Sequence, residues 1–149
     1  MTVIKEAKIR IGSVIENLGD GGLPEGDPER SVTEAVGYLN YRDGDATITY
    51  SEQNAEDRVD SEVRVEGDTI TVVRRGAVES EMKFSEGVTH RSLYRVGPYA
   101  FDAEVTTRKI RRELSSDGGK IELYYNMKIG GADKSARMKI WISTDLSRK

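Results

Sequence analysis

Residues 59–96 read VDSEVRVEGDTITVVRRGAVESEMKFSEGVTHRSLYRV, and their alternation decides the fold. Apolar residues recur at every second position, Val63 and Val65, then Ile70 and Val72, then Met82 and Phe84. The runs break at Gly67-Asp68, Arg75-Gly76 and Glu86-Gly87. A period of two marks strands with one buried face, and short breaks carrying Gly mark hairpin turns, so the stretch predicts four short antiparallel strands. Downstream, YAFDAEVTTRKIRREL is a longer strand. A turn at SSDGG leads to KIELYYNMKI, and Gly130-Gly131 leads to SARMKIWIS. Upstream, AVGYLNY and ATITYSE form a hairpin across Arg42-Asp43-Gly44-Asp45.

Periodicity leaves the N-terminal segment open. Ile4, Ala7, Ile11, Val14, Ile15 and Leu18 fit a helical stripe, while Ala7, Ile9, Ile11 and Ile15 fit one strand face. Strand is the preferred reading and brings the count to about ten. Asp27-Pro28-Glu29 carries a second ambiguity, since it can cap a short helix running towards Leu39, against which Gly37 and the β-branched residues argue. Residues 18–30 read as a long polar loop. So many short strands without a convincing helix between them predict an all-β sandwich or a closed antiparallel barrel, and closure removes exposed edges. In the longest strand, Phe101, Ala103, Val105 and Thr107 share one parity while Ile110 and Leu114 share the other. That phase change predicts a bulge near Arg108.

Composition bounds the function. A chain of 149 residues makes one domain, residues 1–149, and needs no disulfide or metal staple. A net charge of -3 gives no overall attraction to nucleic acid or to an anionic membrane, so neither partner is expected. With no cysteine, disulfide scaffolds, thiol catalysis and Cys-based zinc sites are excluded together. The N-terminus has scattered charges and no continuous apolar run, so no signal peptide or membrane span is expected and a cytoplasmic location is the default.

The run from Val72 to Ile129, followed by MKIWI, carries a more specific pattern: Arg74, Gly76, Met82, Phe84, Gly87, His90, Tyr94, Gly97, Thr107, Gly119, Ile121, Leu123 and Tyr125 in that order and spacing. In this it resembles the YwiB-like bacterial proteins of unknown function, closely over the C-terminal half and only in strand pattern over the N-terminal half. The resemblance implies a single calycin-type, lipocalin-like β-barrel of about 8–10 strands, mostly a meander, and implies no settled activity.

Extending each strand's parity turns a set of polar residues inward. Arg74 lies with Ile70 and Val72, Thr107 with Val105, and Tyr125 with Ile121 and Leu123. His90, Ser92 and Tyr94 share the parity of Val88 and Val96, and Tyr50 follows Ile48, with Glu52 next. A buried polar group without a partner costs about 1–3 kcal/mol, so these residues must satisfy each other or meet a ligand. One reading is a closed internal network with Glu52 or a carbonyl on Arg74. The other is a pocket for a small hydrophobic or amphipathic molecule. Its walls would be Met82, Phe84, Phe101, Met127 and Met138, with Arg74 and a tyrosine as a fork for a carboxylate or phosphate. The pocket predicts a cavity bordered by Arg74, His90, Tyr94 and Tyr125; the network predicts those side chains in contact.

Other chemistry is weakly supported. His90 and Ser92 lack a nucleophile elbow, so no catalytic residue is assigned and an enzyme is not expected. One histidine and no cysteine give no metal spacing and only a remote route to haem ligation, so no metal or cofactor is assigned. Asp43-x-Asp45 and GDGG at 19–22 read as turns. Arg108, Lys109, Arg111 and Arg112 can form a basic outer wall, which Glu104, Glu113 and Glu122 would balance. Trp141 points outward and can mark a subunit contact, so a homo-oligomer is considered. The preferred function is non-enzymatic binding of a small hydrophobic or amphipathic ligand, which can be anionic, inside the barrel. The alternative is a structural or protein-interaction module with a self-satisfied interior.

Overall fold

The computed structural model describes residues 2–54 and 57–146. The alternating runs become β1 (Thr2–Asn17), β2 (Glu29–Arg42), β3 (Asp45–Asn54), β4 (Asp57–Glu66), β5 (Thr69–Gly76), β6 (Val78–Phe84), β7 (Thr89–Val96), β8 (Tyr99–Ser115), β9 (Gly118–Ile129) and β10 (Ala132–Ser143). Each pairs antiparallel with the next and β1 pairs with β10, closing a ten-stranded meander into a barrel.

The N-terminal segment is a strand because it is paired on both sides, with β2 and with β10. Burial there follows period two: Ala7, Ile9 and Ile11 are buried while Ile4 stands in solvent. The short helix offered by Asp27-Pro28-Glu29 does not form. Glu29 opens β2, which pairs residue for residue with β1 from Glu29↔Ile15 to Arg42↔Thr2. That ladder satisfies backbone groups which a short helix would leave open at its ends. Among the described residues, helical geometry is confined to a 3-10 turn at Asp20–Gly22. The register of β8 against β9 shifts between Thr107 and Lys109, the bulge that the phase change demands.

Inside, side chains such as Ile9, Leu39, Ile48, Val63, Ile70, Phe84, Leu123 and Ile140 form one contiguous apolar core. Met138 lies within it, and Met82 and Met127 pack at its margin. Phe101, expected as an interior wall, is 40% exposed. It sits beyond the core, at the rim, against the turn at Gly130. The outer wall is charged, with pairs such as Arg64–Glu62 at 2.9 Å and Arg91–Glu104 at 3.2 Å. Polar outside and apolar inside is the reverse of a membrane-spanning barrel. Among the described residues no helix is long and apolar enough to cross a membrane.

Two seams of the barrel are incomplete. Strand β2 pairs with β3 from Gly37↔Tyr50 to Arg42↔Asp45, so among the described residues Glu29–Val36 are paired with β1 alone. Strands β6 and β7 share just three pairs, Val78↔Val96, Glu79↔Arg95 and Ser80↔Tyr94. Beyond these the two strands part, and their connecting turn fastens to β8 instead. Gly87 N donates to Thr107 O at 2.8 Å, Thr107 N donates to Val88 O at 3.2 Å, and Ile110 N donates to Glu86 Oε1 at 2.8 Å. The bulge thus pulls the turn onto β8 while β6 stays on β5, which leaves a window in the wall.

Candidate functional site

The register places five polar side chains in one row across five strands. Tyr50 pairs with Ser61, Ser61 with Arg74, Arg74 with Ser80, and Ser80 with Tyr94. All five have inward parity, and directly opposed residues hold their Cβ atoms about 4.5–5.5 Å apart. A small serine on each side leaves space around the Arg74 guanidinium, and the tyrosines stand one strand further out. One level deeper the row becomes Ile48, Val63, Val72 and Met82, so the polar row rests on the apolar core. On the other side lie Glu52 and Val59. The row marks where the apolar filling ends.

Tyr50, Ser61 and Ser80 are buried, while Arg74 and Tyr94 are half-buried. Among the described residues no carboxylate lies within ion-pair distance of Arg74, so Glu52 does not neutralise it. Its charge reaches two buried phenols. Burial pushes Tyr125 up to about 12, against the opposing pull of Arg74. Burial likewise raises Tyr50, with Arg74 pulling down and Glu52 adding to the rise. The Ser61 hydroxyl lies near enough to the Tyr50 phenol to lower it, yet Ser61 Oγ has no partner of hydrogen-bonding geometry. Ser92 Oγ and Thr107 Oγ1 are likewise buried without a partner.

The other sequence-predicted residues take different places. Tyr125 is buried within electrostatic reach of Arg74 and Tyr94, its ring edge-on to Phe84 at 4.9 Å. Thr107 is fully buried beneath the bulge and pairs with Tyr125. His90 is half-buried beside the window, its Nε2 3.4 Å from Ser85 Oγ, and is opposite Val105. It stands two levels from Arg74. Ser61 and Ser80 escaped the sequence reading. Their signal was there: each is a small polar residue at the end of an inward apolar run, Ser61 before Val63 and Val65, Ser80 before Met82 and Phe84.

Depressions reach the row from both incomplete seams. Through the β6–β7 window a cavity of about 680 Å³ meets Arg74, Ser80, His90 and Ser92. Where β2 leaves β3, a smaller one of about 390 Å³ meets Tyr50 and Ser61. Tyr94 and Tyr125 line neither, so the cavity expected to border Arg74, His90, Tyr94 and Tyr125 takes in only the first two of them. The window is lined by five Arg and Lys residues against Glu79 and Glu81. Arg95 pairs with Glu79 at 3.7 Å and Arg91 with Glu104. The remaining excess is positive and favours an anion. On the adjoining wall, β8 to β10, the basic stripe is more contained. Arg108 Nη2 donates to Ser135 Oγ at 3.2 Å. Glu122 meets Lys120 at 3.6 Å and Lys139 at 3.9 Å, and accepts from the Tyr124 hydroxyl, which holds its carboxyl below the usual range.

The buried phenol gives a pH prediction. Tyr125 titrates near 12 in the folded protein against about 10 for a free phenol, so the native state holds that proton more tightly. Its contribution to stability is complete below about pH 10 and is lost as the pH rises towards 12. The shift corresponds to about 2–3 kcal/mol. Urea midpoints should therefore fall across that interval more steeply for the wild type than for Tyr125→Phe. Equal slopes would contradict the assignment.

Comparison with known proteins agrees with the architecture. A family model described as a domain of unknown function (DUF1934) matches residues 23–142. The uncharacterized β-barrel protein YwiB of Bacillus subtilis (strain 168) is 23% identical over 122 residues, covering 82% of this chain and 81% of that protein. The crystal structure of the B. subtilis ywiB protein superposes with a TM-score of 0.80 at 21% identity, over 94% of this chain and 92% of that one. The likeness is one of fold.

Proposed function

We propose that this chain, which belongs to the family described as a domain of unknown function (DUF1934), is a binding protein for a small anionic or amphipathic molecule, with Arg74 as the anchor and no chemistry done on the ligand. One observation carries the reading. Arg74 is half-buried, flanked by Ser61 and Ser80, lines an open cavity, and has no carboxylate partner among the described residues. A half-buried guanidinium without a counter-charge is open to an anionic partner, and a carboxylate or phosphate supplies both the charge and a bidentate geometry. The hydroxyls beside it add neutral donors. The ligand's apolar part would lie against Val73 and Leu93, the apolar residues of the same cavity, so the anion lodges at the wall and the barrel's centre stays filled by side chains.

Native mass spectrometry of the protein as purified, set against its denatured mass, tests this. An anionic adduct is expected on the wild type and not on Arg74→Met. Once the adduct's mass identifies it, affinity should fall about 10- to 100-fold in the variant, the range for a lost charge-assisted contact. A bare mass for both proteins, with Arg74→Met markedly destabilised, would make the row a structural device and refute the reading.

A further inference from the structure

The second incomplete seam suggests a different kind of partner, independent of the anion site. Past Gly37, strand β2 carries on for eight residues, Glu29–Val36, with β1 on one side and, among the described residues, no strand on the other. Alternate residues of this segment turn their N–H and C=O groups towards solvent, which is the standing template for another strand. Its outer face is exposed and runs Arg30, Val32, Glu34, Val36, with Val32 61% and Val36 59% exposed. Glu34 meets the exposed Arg10 at 3.8 Å, a contact worth little at the surface.

We propose that this edge pairs with the same edge of a second copy, antiparallel, about a twofold axis at Val32. The sequence of the segment selects both the occupant and the register. With Val32 opposite Val32 of the second copy, Arg30 faces Glu34 and Glu34 faces Arg30, so two opposed charge pairs flank an apolar contact on the outer face. On the inner face the same register puts Thr33 opposite Ser31 and Ala35 opposite Glu29. A shift of two residues one way sets Glu34 against Val32, the other way Arg30 against Val32. A shift of four sets Glu34 against Glu34. Antiparallel two-residue-periodic pairing admits only even shifts if outer faces are to stay together, so one register satisfies both charges. An isologous contact of this type closes a dimer and removes the exposed edge.

The full chain is tested by sedimentation velocity over a concentration series. The wild type is expected at twice its 16.6 kDa mass. Arg30→Glu and Glu34→Arg each place like charges opposite one another twice, and each should sediment as a monomer with an unchanged circular dichroism spectrum. The double variant carrying both exchanges restores complementarity and should return to the dimer. A wild type that stays monomeric throughout the series overturns the proposal. So does a dimer that survives either single exchange, or a double variant that remains monomeric.

Discussion

Phe84→Ala is expected to lower stability by about 3–5 kcal/mol, the largest single loss in this barrel's interior. The ring is fully buried and closes edge-on against Tyr125 at 4.9 Å. What makes the site unforgiving is its backbone. Phe84 is the last residue of β6 and pairs with Ile70, while the turn that follows is bonded to β8 at Thr107. The chain is therefore held from both sides, and the cavity left by the ring has little freedom to collapse, which is the condition under which large-to-small substitutions cost most. At about 2–4 °C per kcal/mol for a chain near this size, the melting temperature should drop by roughly 6–20 °C. Phe84→Leu keeps most of the volume and should lose far less. Calorimetry of the two variants decides: equal, small losses would show that the turn relaxes and that the window is not rigidly framed.

That rigidity is the part of the structure least visible in the sequence. The strands were legible because a one-sided buried sheet imposes period two on its side chains, as at Val63 and Val65 of β4. The bulge was legible for the same reason, since Ile110 and Leu114 can only point inward if one residue is skipped. The helix suggested by Asp27-Pro28-Glu29 failed because local capping signals are worth about 1 kcal/mol, whereas pairing along the whole of β2 engages every residue from Glu29 to Arg42. Parity groups Arg74 with Val72 and Tyr50 with Ile48, but it says nothing of height along the barrel. Only the register shows that Arg74, Tyr50 and Tyr94 share one row with Ser61 and Ser80, that His90 stands two levels away, and that Thr107 is sealed in the core. The window is illegible for a stronger reason: it arises from competition between β6 and β8 for one turn, settled by backbone bonds to Thr107.

Gly37→Ala should rank next, at about 3 kcal/mol, the upper end of what overpacking costs. Gly37 is buried, sits between Ala7 and Tyr50, and has an ordinary negative φ, so the effect is one of space and not of backbone strain. A Cβ built there would overlap the Thr49 carbonyl oxygen and come within 3.0 Å of Ile9 Cδ1. The oxygen belongs to β3, which is fixed by β4 on its far side, so the strain must be relieved by β2 moving outward. Gly37↔Tyr50 is the first pair of the β2–β3 seam, and prying it open widens the notch that reaches Tyr50 and Ser61. Hydrogen exchange separates this from general loosening. Protection should be lost along Gly37–Arg42 and Asp45–Tyr50 while β8, β9 and β10 keep theirs. Uniform loss around the barrel would mean that the seam is not an independent element. A glycine at this position is thus what allows β2 to lie close against β3 for six residues and then depart, and the departure creates both the free edge of β2 and one of the two approaches to the Arg74 row.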